Sequence, residues 1–410
     1  MVFPFENVIR HGANLIAFDR ELCSKAHLEA IAKHSYERCE IAAVSALIEP
    51  GDRVLEGGSG IGVVSSKIAE IVGAENLVCC EANPRLAALT RQTLALNGYH
   101  STIYVGVLQD LHEESKQTVS FAVAADYLAS SAVSLQQSAY TVETPAVNLA
   151  VLLEQHRIDT LVLDIEGSEC ELLQPAALEP VQKIIFELHP AIVGIDSSRS
   201  VLERLHSAGL FLRPDLVNEN VFVMHRCEAY EGLPLTGSLQ FNEFLELRLR
   251  ASTAPDTPDA GERLRCVSEL ARRWPANHNF VREMAHLLLC EREWDASLAT
   301  LANVAVEERD AFHLHLQAQG HFGLGQLELA EDCWRNAAKL VPDQSLIKTM
   351  LARCAVRRGR TEEALDFIQD AVALCPFVAS YWDLFARVAE MLGRPLLAAA
   401  ARSAKVTYAR

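Results

Sequence analysis

Two short segments hold the side chains best suited to chemistry. Leu161-Val-Leu-Asp164-Ile-Glu166-Gly-Ser-Glu169 is an apolar run closed by acids in the spacing D-x-E-G-x-E, and Ile184-Ile-Phe-Glu187-Leu-His189-Pro190 ends in a carboxylate and an imidazole. Asp164, Glu166, Glu187 and His189 are the candidate catalytic residues. Brought together they offer two kinds of chemistry. One is removal of a proton from a hydroxyl, for which His189 is the group that titrates near neutrality in its unperturbed form. The other is retention of Mg²⁺ or a similar hard cation that acidifies the hydroxyl instead. Ser168 and Glu171 have the spacing of a helix capping box, which places Glu169 in a first turn.

Two further segments suit a bound ligand. Arg53-Val-Leu-Glu56-Gly-Gly58-Ser-Gly60-Ile-Gly62 runs from an apolar stretch through an acid into alternate glycines, and Leu77-Val-Cys-Cys-Glu81-Ala-Asn-Pro84 ends in a second acid. The G-x-G-x-x-G fingerprint of a dinucleotide site fails, because the third glycine falls on Val63 or Ser65 depending on the start. Glu56, Gly58, Gly60, Gly62 and Glu81 are therefore candidates for a ligand without a pyrophosphate, with backbone close to an amino-acid moiety and Glu81 accepting from both ribose hydroxyls.

The elements that position these residues follow from the apolar pattern. Arg53–Glu56, Leu77–Glu81, Ile103–Val107, Thr160–Asp164 and Lys183–Glu187 read as buried strands alternating with helical segments, which predicts a mostly parallel sheet with helices on both faces. Leu210–Arg213 and Val221–Met224 predict a terminal hairpin, and residues 119–143 an inserted pair of strands. In such sheets ligands bind outside the carboxyl ends of the strands, which is where all four segments end.

The order of these motifs, with Tyr36-Glu37-Arg-Cys-Glu40 upstream, resembles the FkbM-type methyltransferase family over roughly residues 36–190. The resemblance implies a Rossmann-like class I methyltransferase fold that uses S-adenosylmethionine, and methylation mainly of hydroxyl oxygens on sugars, glycans or natural products. It also implies that Glu56, Gly58, Gly60, Gly62 and Glu81 hold the cofactor while Asp164, Glu166, Glu187 and His189 face the transferred methyl. The family more often has Asp where this chain has Glu56.

After residue 261 the pattern is helical and repeats. Gly325, Gly359 and Gly393 are 34 residues apart, as are Ala330, Ala364 and Ala398, and Ala318, Ala352 and Ala386. This is the tetratricopeptide (TPR) period, with small residues where helices meet and glycine at the turn. A degraded fourth unit over about 277–310 shares Ala296 but lacks the glycine. The small, Pro-rich stretch 251–261 reads as a linker, giving a catalytic domain over 1–250 and a TPR domain of about four repeats over 262–410. Gln319, Arg353 and Arg387 fall on groove positions of the array; they read first as solvated face residues, with an acidic peptide or glycan as the alternative ligand, and the array is expected to serve docking of a protein partner or self-association. A protein acceptor recruited by the repeats and a non-catalytic scaffold are the rival readings.

Composition narrows the field. With 37 Lys+Arg against 54 Asp+Glu, the chain carries −17, of which −15 lies in residues 1–250, a poor balance for binding nucleic acid. The 11 cysteines form no C-x-x-C pair and suggest reduced thiols in the cytoplasm. No apolar run approaches the length of a membrane span, and no signal peptide is evident. All four Trp lie after residue 250.

Overall fold

The apolar runs become a seven-stranded sheet because each is too short for a helix and is apolar on both faces. In chain order the strands are β1 (Val54–Gly57), β2 (Leu77–Glu81), β3 (Thr102–Val105), β4 (Thr160–Leu163), β5 (Lys183–Glu187), β6 (Phe211–Leu212) and β7 (Val221–His225). The computed structural model describes residues 7–110, 118–124, 138–174, 178–226, 239–253 and 260–409. Across the sheet the order is β6-β7-β5-β4-β1-β2-β3. The first five strands pair in parallel, with Val54 opposite both Leu77 and Thr160. β7 enters antiparallel between β5 and β6 and completes the expected hairpin, with Phe211 opposite His225.

Both faces of this sheet are covered. Leu55, Leu161, Leu163 and Phe186 pack with Leu152, Val201 and Leu205 from helices Leu149–His156 and Ile195–Ser207. On the other face Val54, Val162 and Ile185 pack with Val44, Leu47 and Ile68 from helices Arg38–Leu47 and Val63–Val72. The expected strand Ile103–Val107 is interrupted at Gly106, where a Cβ would lie 2.4 Å from the Pro145 carbonyl oxygen. Beyond it, Val107–Gln109, Thr118–Ala124 and Ser138–Asn148 form a separate three-stranded sheet, the inserted strands of the sequence reading.

The chain divides into two compact units in a way that the linker reading does not anticipate. The α/β unit comprises Ile16–Cys23 and Glu37–Phe280, and the helical unit takes Val281–Arg410 together with Ser24–Tyr36 and the segment ending at Leu15. Within 251–261, residues 254–259 lie outside the described residues. The flanking helices Leu239–Thr253 and Ala260–Arg273 belong to the α/β unit, where Phe244, Leu249, Leu270 and Phe280 join its core. Trp274 packs edge-on to Phe244 at 4.9 Å in the same unit, so indole is not confined to the repeats.

In the helical unit the 34-residue period produces the hairpins Ala311–Gly323/Leu327–Leu340, Ser345–Arg357/Thr361–Leu374 and Ala379–Met391/Pro395–Tyr408. Gly325, Gly359 and Gly393 turn each hairpin with φ of +77°, +75° and +67°, a conformation side chains resist. Ala318, Ala330, Ala352, Ala364, Ala386 and Ala398 are all buried, letting the helices approach. The degraded unit is displaced by one residue: Arg292 takes the left-handed turn and Ser297, not Ala296, is buried, with its hydroxyl donating to the Ala285 carbonyl. The segment Ser24–Tyr36 also packs within the helical unit. The Ser345 hydroxyl donates to the Ala32 carbonyl at 2.9 Å and the Gln344 amide to that of Lys33 at 2.9 Å. Among the described residues, no helix is long and apolar enough to cross a membrane.

Removing the Phe280 ring, fully buried and 6.0 Å from that of Phe244, tests the division between the units. Phe280→Ala is expected to destabilise the α/β unit by about 3–5 kcal/mol. Hydrogen exchange should accelerate in β4 and β5 and stay unchanged in the helices after Ala311.

Candidate active site

The order of strands reverses between β1 and β4, and the loops leaving their carboxyl ends part there, opening a crevice. The loop after β1 is built on glycines with φ of +82° at Gly58, +53° at Gly60 and +86° at Gly62. Gly58 is also a point of contact: a Cβ on it would fall 1.8 Å from the Asp164 carbonyl oxygen. Only a residue without a side chain lets β1 end directly against β4.

Glu81, at the end of β2, holds this loop in place. Its Oε2 accepts the Gly60 N–H at 2.9 Å and its Oε1 the Asn83 N–H at 2.8 Å. The Thr90 hydroxyl donates to the Gly60 carbonyl at 2.8 Å, and the Asn83 side chain caps helix Pro84–Leu96. Glu56 is turned inward. It is 3% exposed, and its Oε2 accepts from the Ser65 hydroxyl at 2.5 Å and the Cys79 thiol at 3.4 Å, fastening β1 beneath the first turn of helix Val63–Val72. Burial raises both carboxyls to about 7.

Past β4 and β5 the four candidate catalytic residues come together. His189 Nε2 lies 3.7 Å from Asp164 Oδ1, 3.4 Å from Glu166 Oε2 and 3.8 Å from Glu187 Oε2. Burial is the main influence on every group. It raises Asp164 to about 6, and, reinforced by the Asp164 charge, Glu166 to about 8. It pushes His189 down to about 4, so the imidazole is neutral at pH 7 and a weaker base than the near-neutral value of the free side chain suggests. Glu166 adopts φ of +54°, an unfavourable conformation for a residue with a side chain.

Glu169 supports the loop beneath them. Fully buried, it accepts the N–H of Ile165 at 2.7 Å and of Gly167 at 2.8 Å. The expected capping box does not form, since the Ser168 side chain caps nothing and its backbone is already helical.

One member of the group carried no role in the sequence reading. Glu40, on helix Arg38–Leu47, hydrogen-bonds Glu187, and ligand-type atoms of Glu40, Asp164 and Glu187 lie within 4.8 Å of one another. Burial and the Asp164 charge raise Glu40 to about 7, and burial with three neighbouring carboxylates holds Glu187 well above the ordinary range. A helical carboxylate has no strand-end motif to mark it, and only the packing of Val44 and Leu47 on the sheet brings Glu40 here.

Comparison with known proteins agrees with this geometry. Residues 59–209 match the family model described as Methyltransferase FkbM domain. That stretch includes Gly60, Gly62, Glu81 and the four strand-end residues, and leaves Glu40, Glu56 and Gly58 outside. No curated protein matches the chain. Among solved structures, MamA shares 12% identity at a TM-score of 0.36, covering 38% of this chain and 93% of its own. MamA 41-end from Desulfovibrio magneticus RS-1 shares 14% at 0.38, covering 41% and 95%. YrrB, described as a TPR protein with an unusual peptide-binding site, shares 10% at 0.34, covering 41% and 89%. Residues 59–209 thus match a methyltransferase domain, and the hairpins from Ala311 onward form a TPR-type helical array.

A carboxyl whose folded-state pKa is raised penalises folding once it ionises. The penalty is absent below about pH 4.5, where the unfolded glutamates are protonated too, and grows toward folded-state values of about 7 for Glu40 and about 8 for Glu166. Glu187→Gln keeps the shape and lets an amide donate to Glu40. It is expected to raise the thermal midpoint at pH 8, leave it nearly unchanged at pH 4, and lower turnover.

Proposed function

We propose that the protein is an S-adenosylmethionine-dependent O-methyltransferase acting in the cytoplasm on a hydroxyl of a sugar, glycan or natural product, with its TPR-type array serving docking or self-association. The observation that carries this reading is the Gly58–Asp164 contact, which sets a glycine loop suited to the cofactor directly against a carboxylate–imidazole group suited to the acceptor.

The residues fit the cofactor. Helix Val63–Val72 begins at Gly62 without a side-chain cap, leaving N–H groups and the positive end of its dipole for the carboxylate of an amino-acid moiety. Glu81 accepts the N–H groups of Gly60 and Asn83 and interacts with that of Ala82, and a carboxylate offers about four positions, so an acceptor remains for a ribose hydroxyl. Glu56 acts through the helix it fastens. S-adenosylmethionine supplies an electrophilic methyl group when bound.

On the acceptor side, carboxyls near pH 7 suit a proton acceptor. With the cofactor bound, an acceptor hydroxyl held by these residues would stand ready to receive that methyl group. The hydroxyl proton passes to a carboxylate of the Asp164, Glu166 and Glu187 group. Neutral His189 keeps these carboxylates apart and orients the hydroxyl.

Calorimetry with S-adenosylhomocysteine tests the cofactor half. The wild type is expected to bind it in preference to NAD, and Glu81→Ala to weaken binding by about 1–3 kcal/mol through lost charge-assisted hydrogen bonds. Tighter binding of NAD contradicts the reading. With methyl-labelled S-adenosylmethionine and fractionated lysate, label should enter the small-molecule or glycan fraction, and Asp164→Asn should slow its transfer at least ~100-fold while leaving cofactor affinity within a few-fold.

A further inference from the structure

The acids after β4 and β5 form an arrangement that proton transfer alone does not require. Two triads of ligand-type atoms, Asp164/Glu166/His189 and Glu40/Asp164/Glu187, each lie within 4.8 Å and share Asp164. Glu40, Asp164 and Glu187 make no ion pair with Lys or Arg among the described residues; the nearest basic group is an imidazole. Asp164 Oδ1 is shut off from solvent and accepts no hydrogen bond, and the buried Nδ1 of His189 has no partner either.

The spacing is informative. His189 Nε2 sits 3.4 to 3.8 Å from three carboxylate oxygens, too far for ordinary N–H···O hydrogen bonds. In an octahedral site with bonds of about 2.1 Å, ligand atoms stand about 3.0 Å apart when adjacent and about 4.2 Å when opposite. The observed separations lie between these values. The side chains thus stand at spacings near those of cation ligands, have no Lys or Arg ion-pair partner among the described residues, and present a buried oxygen without a hydrogen bond.

Resting on the methyltransferase reading of the same crevice, we propose that Glu40, Asp164, Glu166, Glu187 and His189 hold one divalent cation. Four carboxylates and one imidazole, without a thiolate, suit a hard, oxygen-preferring ion that tolerates nitrogen, such as Mn²⁺ or Mg²⁺. Bound there, the ion supplies a Lewis acid for the acceptor hydroxyl and holds its oxygen beside the transferred methyl. His189 is then a ligand through Nε2, and Glu40 adds a carboxylate from helix Arg38–Leu47. Its acceptors are hydroxyl compounds able to chelate, such as a vicinal diol or a hydroxy acid.

The test uses the full chain, stripped with EDTA, titrated with Mn²⁺ and followed by loss of the free-ion electron paramagnetic resonance signal without cofactor. About one Mn²⁺ per chain is expected, displaced by Mg²⁺ in excess. Asp164→Asn should weaken binding at least ~100-fold and Glu40→Gln at least ~10-fold, both with an unchanged thermal midpoint at pH 5 as the check on folding. Absence of binding up to millimolar Mn²⁺ overturns the proposal, as does binding that Glu40→Gln leaves unchanged in a folded protein. S-adenosylhomocysteine affinity, measured on the same samples, separates the two readings. Cofactor binding without Mn²⁺ overturns the cation alone, and Mn²⁺ binding without cofactor overturns the methyltransferase reading alone.

Discussion

The arrangement at the strand ends depends on the contact between Gly58 and Asp164. A Cβ on Gly58 would overlap the Asp164 carbonyl, so β1 and β4 can end side by side only because position 58 lacks a side chain. This contact brings the glycine loop, which Glu81 and Thr90 hold by its Gly60 backbone, against the acids that follow β4. The left-handed Gly60 and Gly62 then carry the chain into a helix whose first N–H groups stay open.

The second feature is electrostatic. The α/β unit buries carboxyls at Glu56, Glu81 and Glu169 and half-buries those at Glu40, Asp164, Glu166 and Glu187, and loss of solvent raises each of them. They divide by function. Glu169 accepts backbone donors on both oxygens and Glu56 accepts a hydroxyl and a thiol on Oε2, and both serve the loops. Asp164, Glu166 and Glu187 face His189 across gaps longer than hydrogen bonds. Loops that are well satisfied thus support a group that is not.

The sequence showed the strand-end acids clearly, because short apolar runs in α/β alternation must become parallel strands whose carboxyl ends share one edge. It did not show which way a side chain on such a strand points, so Glu56 read as a cofactor contact although it turns under the helix. Glu40 was hidden because helix Arg38–Leu47 looks like any amphipathic helix until its packing is known. The same holds for Ala260–Arg273, whose apolar face fits either unit and joins the α/β core through Leu270. In the repeats, alanine and glycine columns located three hairpins, and the first was missed by one residue because Arg292 replaces glycine at the turn.

Hydrogen–deuterium exchange of the full chain with and without S-adenosylhomocysteine tests the central claim most directly, because it needs no knowledge of the acceptor. The account expects protection confined to the backbone around Gly58–Gly62, Glu81–Asn83 and Asp164–Gly167, with the helical unit unchanged. Protection absent from these three segments, or confined to the repeats, would contradict it.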